Sequence, residues 1–389
     1  MEGNVAEVLS PLVLNIKERI GTFSNLSVFT IAITNKCNLR CTYCCYSGAY
    51  RNTRQHGNLS ISSNDIDVII DFIDKYRTKL PLTISFYGGE SLLEFELIKC
   101  FVSKSQQRWM NKVQFEISTN GTLFQEENIK WLTENDVTLF VSLDGTSKIQ
   151  DRQRITQTGR GTFDTVRQGL CYLYENHKDF FTEKVHLMMT VTDVKELPFI
   201  AQEWSEDQLL REKNPIRIST VYPNYAKGVL KANEDDTLTT YLDLLDYYEF
   251  HQEYTLLKVF FERFLAEWID RPIFELGETV DCPTCVPNNS KLYIDTDGRV
   301  GLCEKVPDTY RIGNIVDGIN WDIVNAQKGT LESMISHRCT TCPIARLCDI
   351  CPIDIDLSDA EMDVFCHNQK VIHKVKFRVF CEMAEKDLI

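Results

Sequence analysis

An apolar run, Val28 to Ile33, feeds a loop that carries three cysteines: Cys37-Asn38-Leu39-Arg40-Cys41-Thr42-Tyr43-Cys44. A strand that hands a close set of thiols to one loop must end where the rest of the chain can build a site around them. Thiolates are the usual holders of iron–sulfur clusters. At these spacings three of them wrap one corner of a cubic cluster and leave the fourth iron without a protein ligand. The other reading is three of four zinc ligands, but Cys45, adjacent to Cys44, is poorly placed to complete a tetrahedron.

From about residue 28 to 221 strand-like and helix-like segments alternate. The strand candidates are Val28–Thr34, Leu82–Tyr87, Val113–Ser118, Val137–Leu143, Lys184–Val191 and Ile216–Val221. Between them lie amphipathic stretches such as Ile66, Ile69, Ile70 and Ile73 after the capping serines Ser62 and Ser63. Repeated β-α units predict an α/β fold with a parallel sheet and right-handed crossovers, its chemistry at the C-terminal strand ends. The aromatic and leucine-rich stretch 236–269 has helical spacing and reads as core, broken near Glu253. Cys282 opens a cysteine-dense region that runs to Cys381. The expected organisation is an arm over 1–26, a barrel over 27–225, linking helices over 226–275 and a cysteine-rich domain over 276–389.

The chain has 389 residues, 42 basic and 56 acidic side chains and a formal net charge of −14. That balance argues against nucleic acid as a partner, because nucleic-acid binders present basic surface. Fifteen cysteines in so long a chain, with no basic segment leading into an apolar one at the start, point to reduced thiols and a cytoplasmic location. No apolar run approaches the roughly 20 residues that span a bilayer, so no membrane association is expected.

The sequence Cys37 to Cys44 resembles the signature of the radical S-adenosylmethionine (SAM) enzymes. In that family the nucleotide's amino and carboxylate groups chelate the exposed iron, and an electron from the cluster releases a 5′-deoxyadenosyl radical. Three further motifs fit. Strand Leu82–Tyr87 ends in Gly88-Gly89-Glu90, Ser118-Thr119-Asn120-Gly121 follows the third strand, and Ser142-Leu143-Asp144-Gly145 follows the fourth. These resemble the family's GGE, TNG and SLDG segments, and six strands match its partial (β/α)6 barrel. The resemblance implies that Glu90 and the backbone of Gly88 and Gly89 contact the nucleotide's amino group and that Ser142 contacts its ribose or carboxylate. Tyr43, Ser118, Asn120 and Asp144 join the same set. Many relatives then carry H-D-x-x-R, and here the residues read Gln150-Asp151-Arg152-Gln153-Arg154, with Gln150 in the histidine's place. Arg154 is the candidate clamp for the nucleotide carboxylate, by its bidentate donor fork. Gly159-Arg160-Gly161-Thr162-Phe163 is expected to start a helix.

In the C-terminal region Cys285, Cys303, Cys339-x2-Cys342-x5-Cys348-x2-Cys351 and Cys366 resemble a SPASM domain, which binds two auxiliary 4Fe–4S clusters. The family usually has three residues where this chain has two between Cys348 and Cys351. Residue-by-residue transfer implies Cys282, Cys285, Cys303 and Cys351 for one auxiliary cluster and Cys339, Cys342, Cys348 and Cys366 for the other. Zinc knuckles are the alternative for these CxxC pairs. Lys291–Ile294, the turn Asp295–Gly298 and Arg299–Leu302 predict a hairpin. Cys45, Cys100, Cys171 and Cys381 are expected to be buried thiols.

Taken together, the resemblance implies an enzyme with three 4Fe–4S clusters and S-adenosylmethionine, acting on a peptide and reduced by a flavodoxin or ferredoxin. The favoured reaction is a thioether or carbon–carbon crosslink in a ribosomally made precursor. Sulfatase maturation, oxidation of Cys or Ser to formylglycine, uses the same domain pair. A non-catalytic iron–sulfur electron carrier would leave the three motifs unexplained. Glu304, next to Cys303, stands where sulfatase-maturing relatives carry an aspartate thought to take a proton. Beside an anionic cluster its pKa is expected to rise, and Lys305 or Arg311 is the expected partner if it is only a loop residue.

Overall fold

A computed structural model describes residues 21–23, 25–47, 55–78, 81–221, 230–269, 290–305, 310–345, 347–348, 350–351 and 357–389. Residues 1–20 of the expected arm, and Cys282 and Cys285, lie outside them. Ten described strands run β1 (Val28–Thr34), β2 (Leu82–Gly88), β3 (Val113–Thr119), β4 (Thr138–Ser142), β5 (Val185–Val191), β6 (Arg217–Thr220), β7 (Lys291–Ile294), β8 (Arg299–Gly301), β9 (Gly313–Asn314) and β10 (Gly318–Ile319). Each of the six expected strands of the first domain is present, within a residue or two of its expected ends.

The helices that follow β1 to β5 are α1 (Ser63–Tyr76), α2 (Phe95–Trp109), α3 (Glu126–Glu134), α4 (Ser147–Gln153), α5 (Phe163–Asn176), α6 (Lys178–Lys184) and α7 (Leu197–Glu206). Then come α8 (Glu234–Phe250) and α9 (Thr255–Ile269), separated at 251–254 around Glu253, and finally α10 (Trp321–Arg338) and α11 (Asp359–Glu385). Helix α1 begins where the serines predict. Ser62 accepts from the Asp65 N–H while the Asp65 carboxylate takes the Ser62 N–H, closing a capping box.

One sheet takes the order β10-β9-β8-β7-β1-β2-β3-β4-β5-β6. Strands β1 to β6 pair in parallel, and β7 pairs in parallel with β1, Val28 opposite Lys291 and Ile31 opposite Ile294. The expected hairpin exists as β7 and β8, antiparallel with Tyr293 opposite Gly301. Its place was not foreseen: it extends the barrel sheet on the far side of β1. Strand β6 pairs with β5 alone among the described strands, so the barrel is partial.

Parallel strands covered on both faces read as continuous apolar runs. Here β2 to β5 alternate instead. Leu82, Ile84, Phe86, Phe115, Ile117, Leu139, Val141, Val185 and Leu187 are buried in the main core, while the residues between them are mostly polar and less buried. Each large apolar side chain so buried contributes about 1.5–3 kcal/mol. The face carrying Ser85, Tyr87, Ser118, Ser142 and Thr190 lines a cavity. No helix among the described residues is long and apolar enough to cross a membrane.

Candidate active site

The loop after β1 is held from three sides. From the β2 side, the Gly89 N–H donates to the Thr34 carbonyl and the Glu90 N–H to the Lys36 carbonyl, each at 2.8 Å. The glycine pair serves this approach. Gly88 has φ +127°, and a Cβ on Gly88 or Gly89 would fall on the carbonyl oxygen of Thr34 or Lys36 respectively. From the β3 side, Asn120 Nδ2 donates to Asn38 Oδ1 at 2.9 Å, so this side chain braces the cysteine loop. From the segment after α4, the Ile155 carbonyl accepts from Arg40 N (2.7 Å), the Gln153 carbonyl from Thr42 N (2.9 Å), and Gln157 Nε2 donates to the Cys37 carbonyl (2.9 Å).

Each sulfur of the triad has a donor aimed at it. Leu39 N stands 3.4 Å from Cys37 Sγ, Tyr46 N 3.4 Å from Cys44 Sγ, and Arg154 Nη1 4.0 Å from Cys41 Sγ. Burial pushes the Cys37 thiol up to about 12 and the Cys41 thiol up to about 11; a hydrogen bond with Cys45, then burial, push Cys44 up as well. Thiols so raised are protonated near neutral pH, and cationic charge among them, such as iron supplies, favours the thiolate. Among the described residues no three His, Cys, Asp or Glu side chains could hold a single metal ion. Thiolates are the donors an iron–sulfur cluster takes, and all three cysteines border the same cavity, so the triad fits such a cluster.

Glu90 is buried, and its carboxylate accepts from Asn120 N (2.7 Å), Thr119 Oγ1 (2.7 Å) and Leu92 N (3.1 Å). Burial raises its pKa against these hydrogen bonds. Asp144 is fully buried and does not line the cavity. It accepts from Arg154 Nε (2.9 Å), Arg154 Nη2 (3.3 Å), Thr190 N (2.9 Å) and the Tyr43 hydroxyl. Arg154 is thus no surface residue: two of its nitrogens are taken by Asp144, the third faces Cys41, and its guanidinium lies 5.4 Å from the Tyr43 ring centroid. Gln150, in the family histidine's place, accepts from Asp144 N at 2.9 Å and donates to Thr162 Oγ1 at 3.2 Å. Asp151 caps α5, accepting from Thr162 N (2.6 Å) and Phe163 N (2.7 Å), and a Cβ on Gly161 would collide with its side chain.

These parts surround a cavity of about 620 Å3, the size of a cofactor or ligand pocket. Of the sequence-predicted residues, Cys37, Cys41, Tyr43, Cys44, Gly88, Gly89, Glu90, Ser118, Asn120, Ser142, Arg154 and Glu304 line it. His56, Met188, Arg217, Lys291 and Lys305 also line it and were not foreseen; the polar alternation of the strands was the available signal for those on β5 to β7. Cys45 lines the cavity too and is exposed rather than buried; Cys100 and Cys171 are partly buried against the main core, and Cys381 is partly buried.

Glu304 departs from expectation. Its partner is Lys291, at 2.7 Å, while Arg311 pairs with Asp295 at 2.5 Å. Burial pulls the Glu304 carboxyl up, but the charge and hydrogen bond of Lys291 more than offset it and hold the group below the usual carboxylate range. Farther out, Cys339, Cys348 and Cys366 pack on a small second core of Leu331, Ile335, Ile350, Met362 and Phe365, with Cys342 close enough to Cys366 to raise its pKa, after burial. Cys303 follows β8 and accepts from Lys305 N at 3.2 Å, and Cys351 follows the buried Ile350.

Residues 31–200 match the model of the Radical SAM superfamily. A cysteine-type anaerobic sulfatase-maturating enzyme of Clostridium perfringens is 24% identical over 90% of this chain and 96% of its own length. The radical SAM cyclopropyl synthase TigE of Paramaledivibacter caminithermalis is 25% identical over 59% of this chain and 48% of its own. The solved structure of native anSMEcpe with bound AdoMet superposes with a TM-score of 0.66 at 21% identity, covering 92% of this chain and 99% of that one; with AdoMet and the Cp18Cys peptide the TM-score is 0.63. Motifs, barrel and relatives agree: residues 31–200 are a radical SAM domain, whose family uses a 4Fe–4S cluster and AdoMet, in a chain related over nine-tenths of its length to the anaerobic sulfatase-maturating enzymes.

Proposed function

We propose that the chain is a radical SAM peptide maturase that takes hydrogen from a side-chain or α carbon of a residue in a peptide and completes an oxidation there. The favoured outcome is a thioether or carbon–carbon crosslink in a ribosomally made precursor. The single observation behind this reading is one cavity that gathers Cys37, Cys41, Cys44, Glu90 and Ser142 from the C-terminal ends of the strands with Glu304 from beyond β8. Formylglycine formation on a sulfatase is the second reading, favoured as strongly by the near-full-length relation to a sulfatase-maturating enzyme.

When bound, clusters and S-adenosylmethionine supply the reducing electron, the carbon radical that takes the hydrogen atom, and an acceptor for the electron the substrate gives up. Cys37, Cys41 and Cys44 hold the catalytic cluster. Glu90, the Gly88 and Gly89 backbone, Ser118, Ser142 and Tyr43 face the nucleotide, while Asn120, Asp144 and Arg154 fix the loops behind it. Glu304, kept ionised by Lys291, takes the proton released on oxidation. Cys282, Cys285, Cys303 and Cys351, and Cys339, Cys342, Cys348 and Cys366, hold the auxiliary clusters. A flavodoxin or ferredoxin serves as reductant in the cytoplasm.

The test is anaerobic reconstitution. About twelve irons per chain are expected, at four per cluster, together with 5′-deoxyadenosine on adding dithionite. Replacing Cys37, Cys41 and Cys44 together by Ala should abolish the nucleoside and leave iron in the C-terminal half; retained cleavage refutes the assignment. An iron count near four with stoichiometric zinc would turn the auxiliary sites into zinc sites. Glu304→Gln should cleave S-adenosylmethionine but form product slowly, and normal yield across pH removes Glu304 from the reaction. Product mass separates the readings: a crosslink keeps sulfur, whereas formylglycine from cysteine loses it.

A further inference from the structure

The chain is acidic overall, with a net charge of −14, yet the far wall of its cavity is basic. Strand β6 is one edge of the sheet, while β7 flanks β1 at the other limit of the parallel strands and leads into the extension β8 to β10. Arg217 stands on β6, Lys291 on β7, and Lys305 just beyond β8; all three line the cavity. The carboxylates that line it are accounted for. Glu90 is buried under three hydrogen bonds, and Glu304 is engaged by Lys291. Arg154, the cation expected to meet a carboxylate, has two nitrogens on Asp144 and the third toward Cys41. Arg217 differs: its side chain is exposed in the cavity and makes no ion pair with any described residue.

Its place in the sheet is also fixed. Arg217, the first residue of β6, lies opposite Met188 in the middle of β5, and Met188 opposite Ser142 at the end of β4; all three line the cavity. An arginine in a partly enclosed site lined by hydroxyls is a ready bidentate receptor for a carboxylate. The acidic remainder of the surface repels anions, so the basic margin is where an anionic segment would be drawn in.

We propose that the substrate peptide carries a carboxylate beside the residue to be modified and that Arg217 reads it. This rests on the peptide-maturase reading and names the class of peptide it takes. The carboxylate can come from an Asp or Glu side chain or from the peptide's C-terminus.

Reconstituted holoenzyme with S-adenosylmethionine and no reductant is titrated calorimetrically with acetyl-Gly-Asp-Cys-Asp-Gly-amide, its Asn counterpart, and the Asn peptide with a free C-terminal carboxylate. At least one carboxylate peptide is expected to bind about tenfold tighter than the blocked Asn peptide, the scale of one charge-assisted hydrogen-bonded pair. Which one gains identifies the source. The preference should vanish in Arg217→Met and persist in Arg217→Lys, with S-adenosylmethionine affinity unchanged in both. Equal affinities, no binding of any peptide, a preference that survives Arg217→Met, or weakened S-adenosylmethionine binding in that variant would each overturn the proposal. Dithionite-driven cleavage of S-adenosylmethionine, measured on the same samples, separates this failure from failure of the enzyme reading.

Discussion

Asp144 holds more of the site than any residue that faces it. Its carboxylate joins Arg154, the backbone of β5 and the Tyr43 hydroxyl, tying the β4 end to the cysteine loop. Asp144→Asn keeps the shape but leaves the buried Arg154 charge without its counterion, a loss on the order of 3–5 kcal/mol for a pair broken in the interior. Urea unfolding of the cluster-free protein measures it, and a loss under about 1 kcal/mol would show that Arg154 is solvated instead. The sequence singled out Asp144 and Arg154 for the nucleotide site but not their pairing with each other. Ser-Leu-Asp-Gly reads equally well as an exposed turn, and nothing local reveals that Asp144 and Arg154 are both buried and paired. The same holds for Gly88 and Gly89: their pattern was visible, whereas the carbonyls that exclude a Cβ belong to a loop some fifty residues earlier.

At the scale of elements, α1 and α2 are joined through Asp74. It accepts from Trp109 Nε1 (3.0 Å), Arg77 Nε (2.9 Å) and Arg108 Nη2 (3.0 Å). The Trp109 hydrogen bond, then Arg77 and Arg108, hold its carboxyl below the usual range against a smaller effect of burial. A carboxyl depressed in the folded state stabilises it above the unfolded pKa, and that contribution is lost as pH falls through the folded value. Asp74→Asn should therefore be less stable than wild type at neutral pH, the gap closing below about pH 4. A gap as large at pH 3 as at pH 7 would mean that the carboxylate charge contributes nothing. The strands themselves were readable because β-branched and aromatic residues cluster in short runs bounded by turn residues. What the alternation within those runs meant was missed: in a parallel sheet it marks a face turned to a cavity.

Across the whole molecule the core is continuous. Leu292, Ile294 and Val300 of the hairpin and Val371, Val375, Val379 and Met383 of α11 belong to the same buried cluster as the barrel. A chain cut after residue 269 would expose the β1 edge and the face of α8 that α11 covers, and is expected to aggregate. A monodisperse fragment with cooperative unfolding would show that the barrel folds alone. The composition of the C-terminal region pointed to a separate module because its cysteines dominate the reading, while the apolar residues that join it to the barrel are spread thinly. The pairing of β7 with β1 also governs which changes of length the chain tolerates. Side chains alternate faces along a strand, so deleting one residue of β7 after Lys291 would turn Lys291 away from the cavity and from Glu304. Loop length elsewhere, by contrast, carries only a slowly growing entropic cost. Among relatives, insertions and deletions should gather outside this short hairpin, which works as a gauge between the cysteine loop and Glu304.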